Sequence, residues 1–150
     1  MKKLYKIKKS NIDKRGLYAA TNIKKNTKII EYKGKIITVK ETEINPKFDN
    51  NKAIYLFNLN KKYDLDGDFK YNTARLINHS CEPNCEVDGV GLKLWIYSIK
   101  DIKKNDELTY DYGFSFDKDY RDFPCRCRAE KCVGYIVNSQ SRWRIKKSKR

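Results

Sequence analysis

The sequence predicts a mostly β domain of short strands that ends in a cysteine-bearing tail, and three observations predict it. The strongest periodicity is two, the period of a strand. Apolar runs are short and punctuated by glycine, asparagine and charged pairs. Three of the five cysteines fall within eight residues near the C-terminus, in a segment with no apolar pattern of its own.

Taken in order, Thr27–Tyr32 and Lys35–Val39 are β-branched runs separated by Gly34, and each reads as a strand. Residues Lys40 to Lys52 are polar and carry Pro46 and Asn50-Asn51, so they read as a loop. Ala53–Leu59 alternates so that Tyr55 and Phe57 share a face. Thr73–Ile77 is expected to form one short helical turn. In Leu92–Tyr97 the two leucines and Ile96 align, and in Glu107–Tyr112 Leu108, Tyr110 and Tyr112 align. A second short turn is expected at Asp117–Asp122. Residues Arg142–Arg150 are almost entirely basic or polar and are expected to fray.

A chain of 150 residues is the size of one compact domain. Hydrophobic residues are only 39%, yet 11 tyrosines and 6 phenylalanines supply bulky side chains for a core. The formal charge of +15 favours acidic partners such as nucleic acid, nucleoprotein or an anionic cofactor. No apolar run approaches the roughly 18 to 20 residues that span a bilayer, and the basic N-terminus lacks the apolar stretch of a signal peptide. The expectation is an intracellular protein without membrane contact, whose cysteines are metal ligands or free thiols rather than disulfides.

Three constellations can carry chemistry. Cys125-Arg126-Cys127 with Cys132 places three thiolates close enough to converge on one ion, and structural zinc normally takes four tetrahedral ligands. The fourth is then Cys81, Cys85 or His79. The second is Asn78-His79-Ser80-Cys81-Glu82-Pro83-Asn84-Cys85, which holds the chain's one histidine. Ser80 neighbours His79 along the chain, a placement that seldom makes a nucleophile–base pair, so hydrolase chemistry has little support. The third is Glu107-Leu108-Thr109-Tyr110-Asp111-Tyr112-Gly113, whose two tyrosines could line a slot or simply pack against a second sheet.

The order of these three segments resembles the SET domain of protein-lysine methyltransferases followed by a post-SET zinc motif. The resemblance begins at Ile12-Asp13-Lys14-Arg15-Gly16-Leu17-Tyr18-Ala19 and continues through Glu31-Tyr32-Lys33-Gly34, Tyr55-Leu56-Phe57 and Asp66-Gly67, covering about residues 10 to 137. It implies a fold of several small sheets with a knot-like C-terminal threading and a zinc-bound tail. The implied division is SET domain 1–116, post-SET motif 117–137 and basic tail 138–150. It also implies S-adenosylmethionine as methyl donor. Lys14, Arg15, Gly16, Leu17 and Tyr18 would bring backbone groups to that cofactor, with Asn78, His79 and Tyr112 completing its site. Tyr112 would be the catalytic tyrosine, with Tyr110 and Tyr55 beside the reaction and Tyr55, Phe57 and Tyr110 walling the lysine channel. Cys81 would join Cys125, Cys127 and Cys132 on one structural zinc ion, leaving Cys85 as a buried thiol. Ordering by the metal would bring Tyr135, Ile136 or Val137 over the cofactor.

The implied substrate is a lysine of a basic protein: a histone, a histone-like protein or a ribosomal protein. A domain standing without reader modules points to a bacterial or viral protein, cytoplasmic in the first case, or nuclear when acting on chromatin. The sequence departs from the family pattern at four places. Lys14 stands where the first glycine of a Gly-x-Gly turn is usual, which strains it if that position needs φ > 0. Lys35 follows Gly34 where glutamate is common, Tyr71 precedes Asn72 where glycine is common, and Arg128 replaces a frequent glycine after Cys127. The competing reading is a non-catalytic, zinc-stabilised basic module whose tail, Arg142-Trp143-Arg144-Ile145-Lys146-Lys147, grips nucleic acid through phosphates and stacking.

Overall fold

The computed structural model describes residues 3–48 and 55–145. The described strands are β1 (Tyr5–Lys9), β2 (Arg15–Ala19), β3 (Lys28–Tyr32), β4 (Lys35–Thr38), β5 (Leu56–Asn58), β6 (Tyr63–Asp66), β7 (Asn78–His79), β8 (Cys85–Val90), β9 (Lys93–Ser98) and β10 (Thr109–Tyr110). They form four small sheets, ordered β1-β2, β10-β7, β3-β9-β8 and β4-β6-β5. The mostly β expectation is therefore met. The chain divides into two compact units, one of Met1–Ile29, Leu76–Glu86 and Tyr97–Arg150, the other of Ile30–Arg75 and Val87–Ile96.

In the first unit, β1 and β2 pair antiparallel with Ile7 opposite Leu17 and Lys9 opposite Arg15. Leu17 and Ala19 are fully buried, and Ile23, Ile77, Ile102, Leu108 and Val137 are 3% exposed or less. Burying each of these larger aliphatic side chains stabilises the fold by about 1.5–3 kcal/mol. The decisive pairing is parallel: Thr109 lies opposite Asn78 and Tyr110 opposite His79. Two segments 31 residues apart along the chain thus meet side by side.

The tail of this unit is ordered by backbone pairing as well as by cysteine. The Cys125 N–H donates to the Gly134 carbonyl at 2.9 Å, Ile136 to Phe123 at 2.8 Å and Asn138 to Phe114 at 2.8 Å. The fraying expected from Arg142 is absent over Arg142–Ile145. Arg142–Arg144 form a 3-10 turn and Ile145 is only 7% exposed, because one apolar residue in the basic run has a place in the core. The remainder of the tail lies outside the described residues.

In the second unit, β6 is the central strand, with Ile36 of β4 and Phe57 of β5 both opposite Leu65. A Cβ on Gly34 would stand 2.1 Å from the Asp66 carbonyl oxygen, so only glycine admits this approach. Tyr71, in place of a usual glycine, keeps an ordinary φ and stacks on Phe69 with ring centroids 5.1 Å apart.

The loop expected over Lys40–Lys52 is corrected as far as Phe48: Val39–Ile44 form a short helix, α1, and Pro46–Phe48 a 3-10 turn, while residues 49–52 lie outside the described residues. Thr38 caps α1 by accepting from the Glu41 N–H at 3.2 Å. The Thr42 hydroxyl is buried against Asp64 Oδ2 at 2.8 Å. Six residues are too few for a helical period to register in sequence, so the capping threonine was the readable signal.

Other boundaries shifted. The Ala53–Leu59 run contributes only Leu56–Asn58 to a strand, and Ala53 and Ile54 lie outside the described residues. Leu92 belongs to the turn before β9 and is 42% exposed, while Leu94 and Ile96 are buried as expected. The expected turns appear as Thr73–Leu76 and Tyr120–Asp122. β10 is two residues long, and Leu108, Thr109 and Tyr110 are buried consecutively, so burial there does not alternate.

Candidate cofactor turn and cysteine cluster

The turn between β1 and β2 is closed from Ser10 to Lys14 by a 2.8 Å backbone bond. Ser10 Oγ accepts from the Ile12 N–H at 2.9 Å and donates to Glu107 Oε1 at 2.6 Å. The Asn78 side-chain amide donates to the same Glu107 oxygen at 2.9 Å and to the Asp13 and Arg15 carbonyls at 3.1 and 3.3 Å. A Cβ on Gly16 would fall 2.2 Å from Glu107 Oε1, so the glycine is what lets the carboxylate approach the turn. Asn78 is thus set against the Asp13–Gly16 backbone. Lys14 and Arg15 are exposed, Gly16 and Leu17 are buried, and the Tyr18 hydroxyl donates to the Lys9 carbonyl at 3.0 Å. Burial, then the Glu107 carboxylate, raises the Tyr18 phenol pKa above its ordinary value.

Lys14 has φ +41° and Arg128 φ +60°, so the backbone is left-handed at both positions where the resemblance leads one to expect glycine. That conformation costs an L-residue about 1–2 kcal/mol, against roughly 0.5–1 kcal/mol of extra chain entropy that glycine must lose. Both side chains are exposed. Lys14→Gly and Arg128→Gly are each expected to raise the thermal unfolding midpoint by a few degrees in calorimetry; a fall would show that the side chains stabilise more than the backbone strains.

His79 is buried, and both ring nitrogens are engaged within the protein. Nδ1 accepts the Tyr112 N–H at 3.0 Å, which places the ring proton on Nε2, facing Cys81 Sγ at 3.6 Å. The Asp111 carboxylate at 3.7 Å from Nδ1 is then a neighbour rather than an ion-pair partner. The Tyr112 ring sits 5.3 Å from His79, 4.8 Å from Tyr110 and 5.6 Å from Phe114, and its hydroxyl donates to the Ile77 carbonyl at 2.5 Å. In the other unit, Tyr55 and Phe57 are each half-buried. The Tyr55 carbonyl accepts from the Tyr32 hydroxyl at 3.3 Å, and the Phe57 ring meets Tyr32 edge-on at 4.7 Å.

Cys81, Cys125, Cys127 and Cys132 bring their sulfurs within 4.8 Å of one another, with Cys81 and Cys125 at 3.8 Å. Four ligands at a Zn–S distance of about 2.3 Å stand roughly 3.8 Å apart at the corners of a tetrahedron. The donor set therefore fits one zinc ion. The Cys81 N–H points to Cys127 Sγ at 3.5 Å and the Gly134 N–H to Cys132 Sγ at 3.3 Å, contacts that favour thiolates. The Cys125 thiol donating to Cys81 lowers the Cys81 pKa to about 3, helped by His79, while Cys125 is pushed up by the same pairing.

Cys85 stands apart from this group, 1% exposed, and burial pushes its pKa up to about 12. Its neutral thiol is favoured by folding, so that contribution is complete below about pH 9 and is lost as pH rises towards 12. Iodoacetamide at pH 8 should leave Cys85 unmodified in the folded chain and label it in denaturant; equal labelling rates would contradict this burial.

Sequence reading missed Glu107, Ser10, Asp111 and Arg142. A serine opening the polar Ser10–Lys14 turn was a legible signal for Ser10, whereas the others depend on long-range approach.

Residues 14–113 match the SET domain family, and the chain belongs to that family. It is 40% identical over 130 residues to histone-lysine N-methyltransferase 2D of Homo sapiens, covering 83% of this chain and 2% of that protein. It is 41% identical over 135 residues to the H3 lysine-4 specific histone-lysine N-methyltransferase of Schizosaccharomyces pombe, covering 85% of this chain and 14% of that protein. Identity to histone-lysine N-methyltransferase trr of Drosophila melanogaster is 39% over 131 residues, covering 83% of this chain and 5% of that protein. The chain thus spans a small part of each relative. Among the described residues no helix is long and apolar enough to cross a membrane.

Proposed function

We propose that this chain is a protein-lysine N-methyltransferase that uses S-adenosylmethionine and acts on a histone or histone-like basic protein. One observation carries the reading: Tyr112 is fixed between His79 and Tyr110, with its hydroxyl on Ile77, one residue from Asn78. Asn78 braces the Ser10–Arg15 turn. The names of the relatives add lysine as the acceptor and the histone as the substrate class.

In this reading the backbone of the Lys14–Tyr18 turn, with Asn78, His79 and Tyr112, holds the cofactor, whose sulfonium methyl is the electrophile. The exposed cations Lys14 and Arg15 suit its carboxylate. With both ring nitrogens committed inside the protein, His79 acts through its backbone and by holding Tyr112, not by a ring bond to the cofactor. The substrate amine must arrive neutral and in line. Lysine's ordinary pKa is about 10.4, and an apolar channel beside positive charge disfavours its ammonium form, so no dedicated carboxylate base is needed. The N–C bond forms as the C–S bond breaks, and the amine proton leaves to water. Tyr112, its O–H donated to Ile77, presents an acceptor oxygen that orients the amine. Tyr55 and Phe57 are assigned to the channel wall on the family resemblance, with Tyr110 as the third member. The Tyr110 hydroxyl favours mono- or dimethylation by holding water or the amine; mainly trimethyl-lysine among the products would contradict that.

The division into 1–116, 117–137 and 138–150 is retained as a proposal, with one structural zinc on Cys81, Cys125, Cys127 and Cys132. A histone substrate places the chain on chromatin. Nucleic-acid contact through the tail would rest on the exposed Trp143 and Arg144, since Arg142 is turned inward. Calorimetry with S-adenosylmethionine, followed by transfer of labelled methyl groups to core histones, tests the reading. Binding and transfer support it; absence of cofactor binding refutes the activity, and binding with no transfer to any basic protein refutes the substrate class.

A further inference from the structure

Arg142 opens the basic run at the end of the chain, where a solvated charge is the ordinary expectation. Its side chain is instead only 14% exposed, and its guanidinium is spent on three segments at once. Nε donates to the Val137 carbonyl at 3.0 Å, Nη1 to the Cys81 carbonyl at 3.1 Å and Nη2 to Asp111 Oδ2 at 2.7 Å. The other Asp111 oxygen accepts the Gly113 N–H at 2.9 Å, so this carboxylate is held from both sides. Asp111 and Gly113 flank Tyr112, and Cys81 is two residues from His79, which receives the Tyr112 N–H. Arg142 therefore ties the cysteine tail, the His79–Cys81 segment and the Tyr110–Gly113 segment together.

From this geometry we infer that Arg142 is a positioning residue for methyl transfer: its three-way fork fixes Asp111 and the Cys81 carbonyl so that Tyr112 keeps its place against His79. The inference rests on the methyltransferase reading of Tyr112. A planar guanidinium with five donors can satisfy three acceptors lying in different directions, whereas an ammonium can pair with Asp111 but cannot reproduce the fork. The guanidinium also stands beside the cysteine cluster, where four thiolates on a divalent ion leave a net negative charge. Loss of Arg142 leaves the sheets intact and frees Asp111 to swing towards water, taking the Tyr112 backbone with it.

The test uses the full zinc-loaded chain as wild type, Arg142→Gln, Arg142→Lys and the exposed Lys118→Gln as a charge control. Metal content, melting midpoint, steady-state kinetics on a lysine peptide and amide exchange at Tyr112 and Gly113 are read for each. Arg142→Gln should lower kcat about ten- to a hundredfold while KM for the peptide changes little, as expected for a displaced reacting geometry. Zinc content should stay at the wild-type level, and exchange at Tyr112 and Gly113 should accelerate. Arg142→Lys should recover part of kcat, and Lys118→Gln should match wild type. A wild-type kcat in Arg142→Gln, or a loss explained wholly by lower zinc content or melting midpoint, overturns the inference. If the wild type transfers no methyl group, the activity reading fails instead; exchange at Tyr112 then still decides, and unchanged exchange in Arg142→Gln overturns the coupling.

Discussion

Replacing Tyr112 with phenylalanine is expected to lower kcat by about two to three orders of magnitude, the usual range for losing one preorganised polar group at a reacting centre. The substitution removes one oxygen and keeps the ring against His79, Tyr110 and Phe114. It also leaves the Ile77 carbonyl without the hydroxyl at 2.5 Å, a loss of about 1 kcal/mol in stability that should appear as a small fall in melting midpoint. Cofactor affinity, measured by calorimetry, should change far less than kcat, because the turn formed by Ser10, Glu107 and Asn78 does not involve the phenol. A variant with near wild-type kcat would remove Tyr112 from the reaction, and a variant that no longer binds cofactor would move its role to binding.

Stripping zinc should have the second large effect. Structural zinc in small motifs contributes about 10–16 kcal/mol, comparable with or larger than the whole stability of a typical domain. Residues Asp117 to Arg144 include one fully buried apolar side chain, Val137, and are otherwise held by backbone bonds, a few ring contacts and the Arg142 fork. Without the metal this segment cannot stay ordered. A strong chelator, or Cys125→Ser, should abolish transfer and open the amides of Cys125, Ile136 and Asn138 to exchange. The far-ultraviolet circular dichroism of the strands should survive. Acid should act in the same direction, since thiolates must be protonated for the ion to leave, and zinc release should increase as pH falls. A chain that lacks zinc as purified yet transfers methyl groups at full rate would contradict the assignment.

These effects converge on residues whose types were legible in the sequence while their relations were not. β-branched runs marked β3 and β4, the period of two marked β9, and the cysteine spacing marked the tail, because strands and metal sites leave local signatures. The fourth cysteine ligand could not be chosen by spacing: Cys81 and Cys85 are both buried near in sequence, and only the fold sets one beside Cys125 and the other apart. Tyr110 and Tyr112 do lie together, yet not on a long strand face, because β10 stops at Tyr110. Glu107 and Arg142 carried no local pattern. Each is defined by partners 29 to 97 residues away, for Glu107 through Asn78 and Ser10, and by partners 31 and 61 residues away, for Arg142 through Asp111 and Cys81. Lys14 shows the reverse case: the missing glycine raised the question of a positive φ in the sequence, and the structure has one there, as it does at Arg128.

The measurement that tests the central claim most directly is tandem mass spectrometry of histones and a histone-tail peptide after incubation with zinc-loaded protein and methyl-deuterated S-adenosylmethionine, with Tyr112→Phe in parallel. The account predicts deuterated methyl groups on lysine side chains with the wild type and their near absence with the variant. Labelled methyl on residues other than lysine, or equal labelling by both proteins, would contradict it.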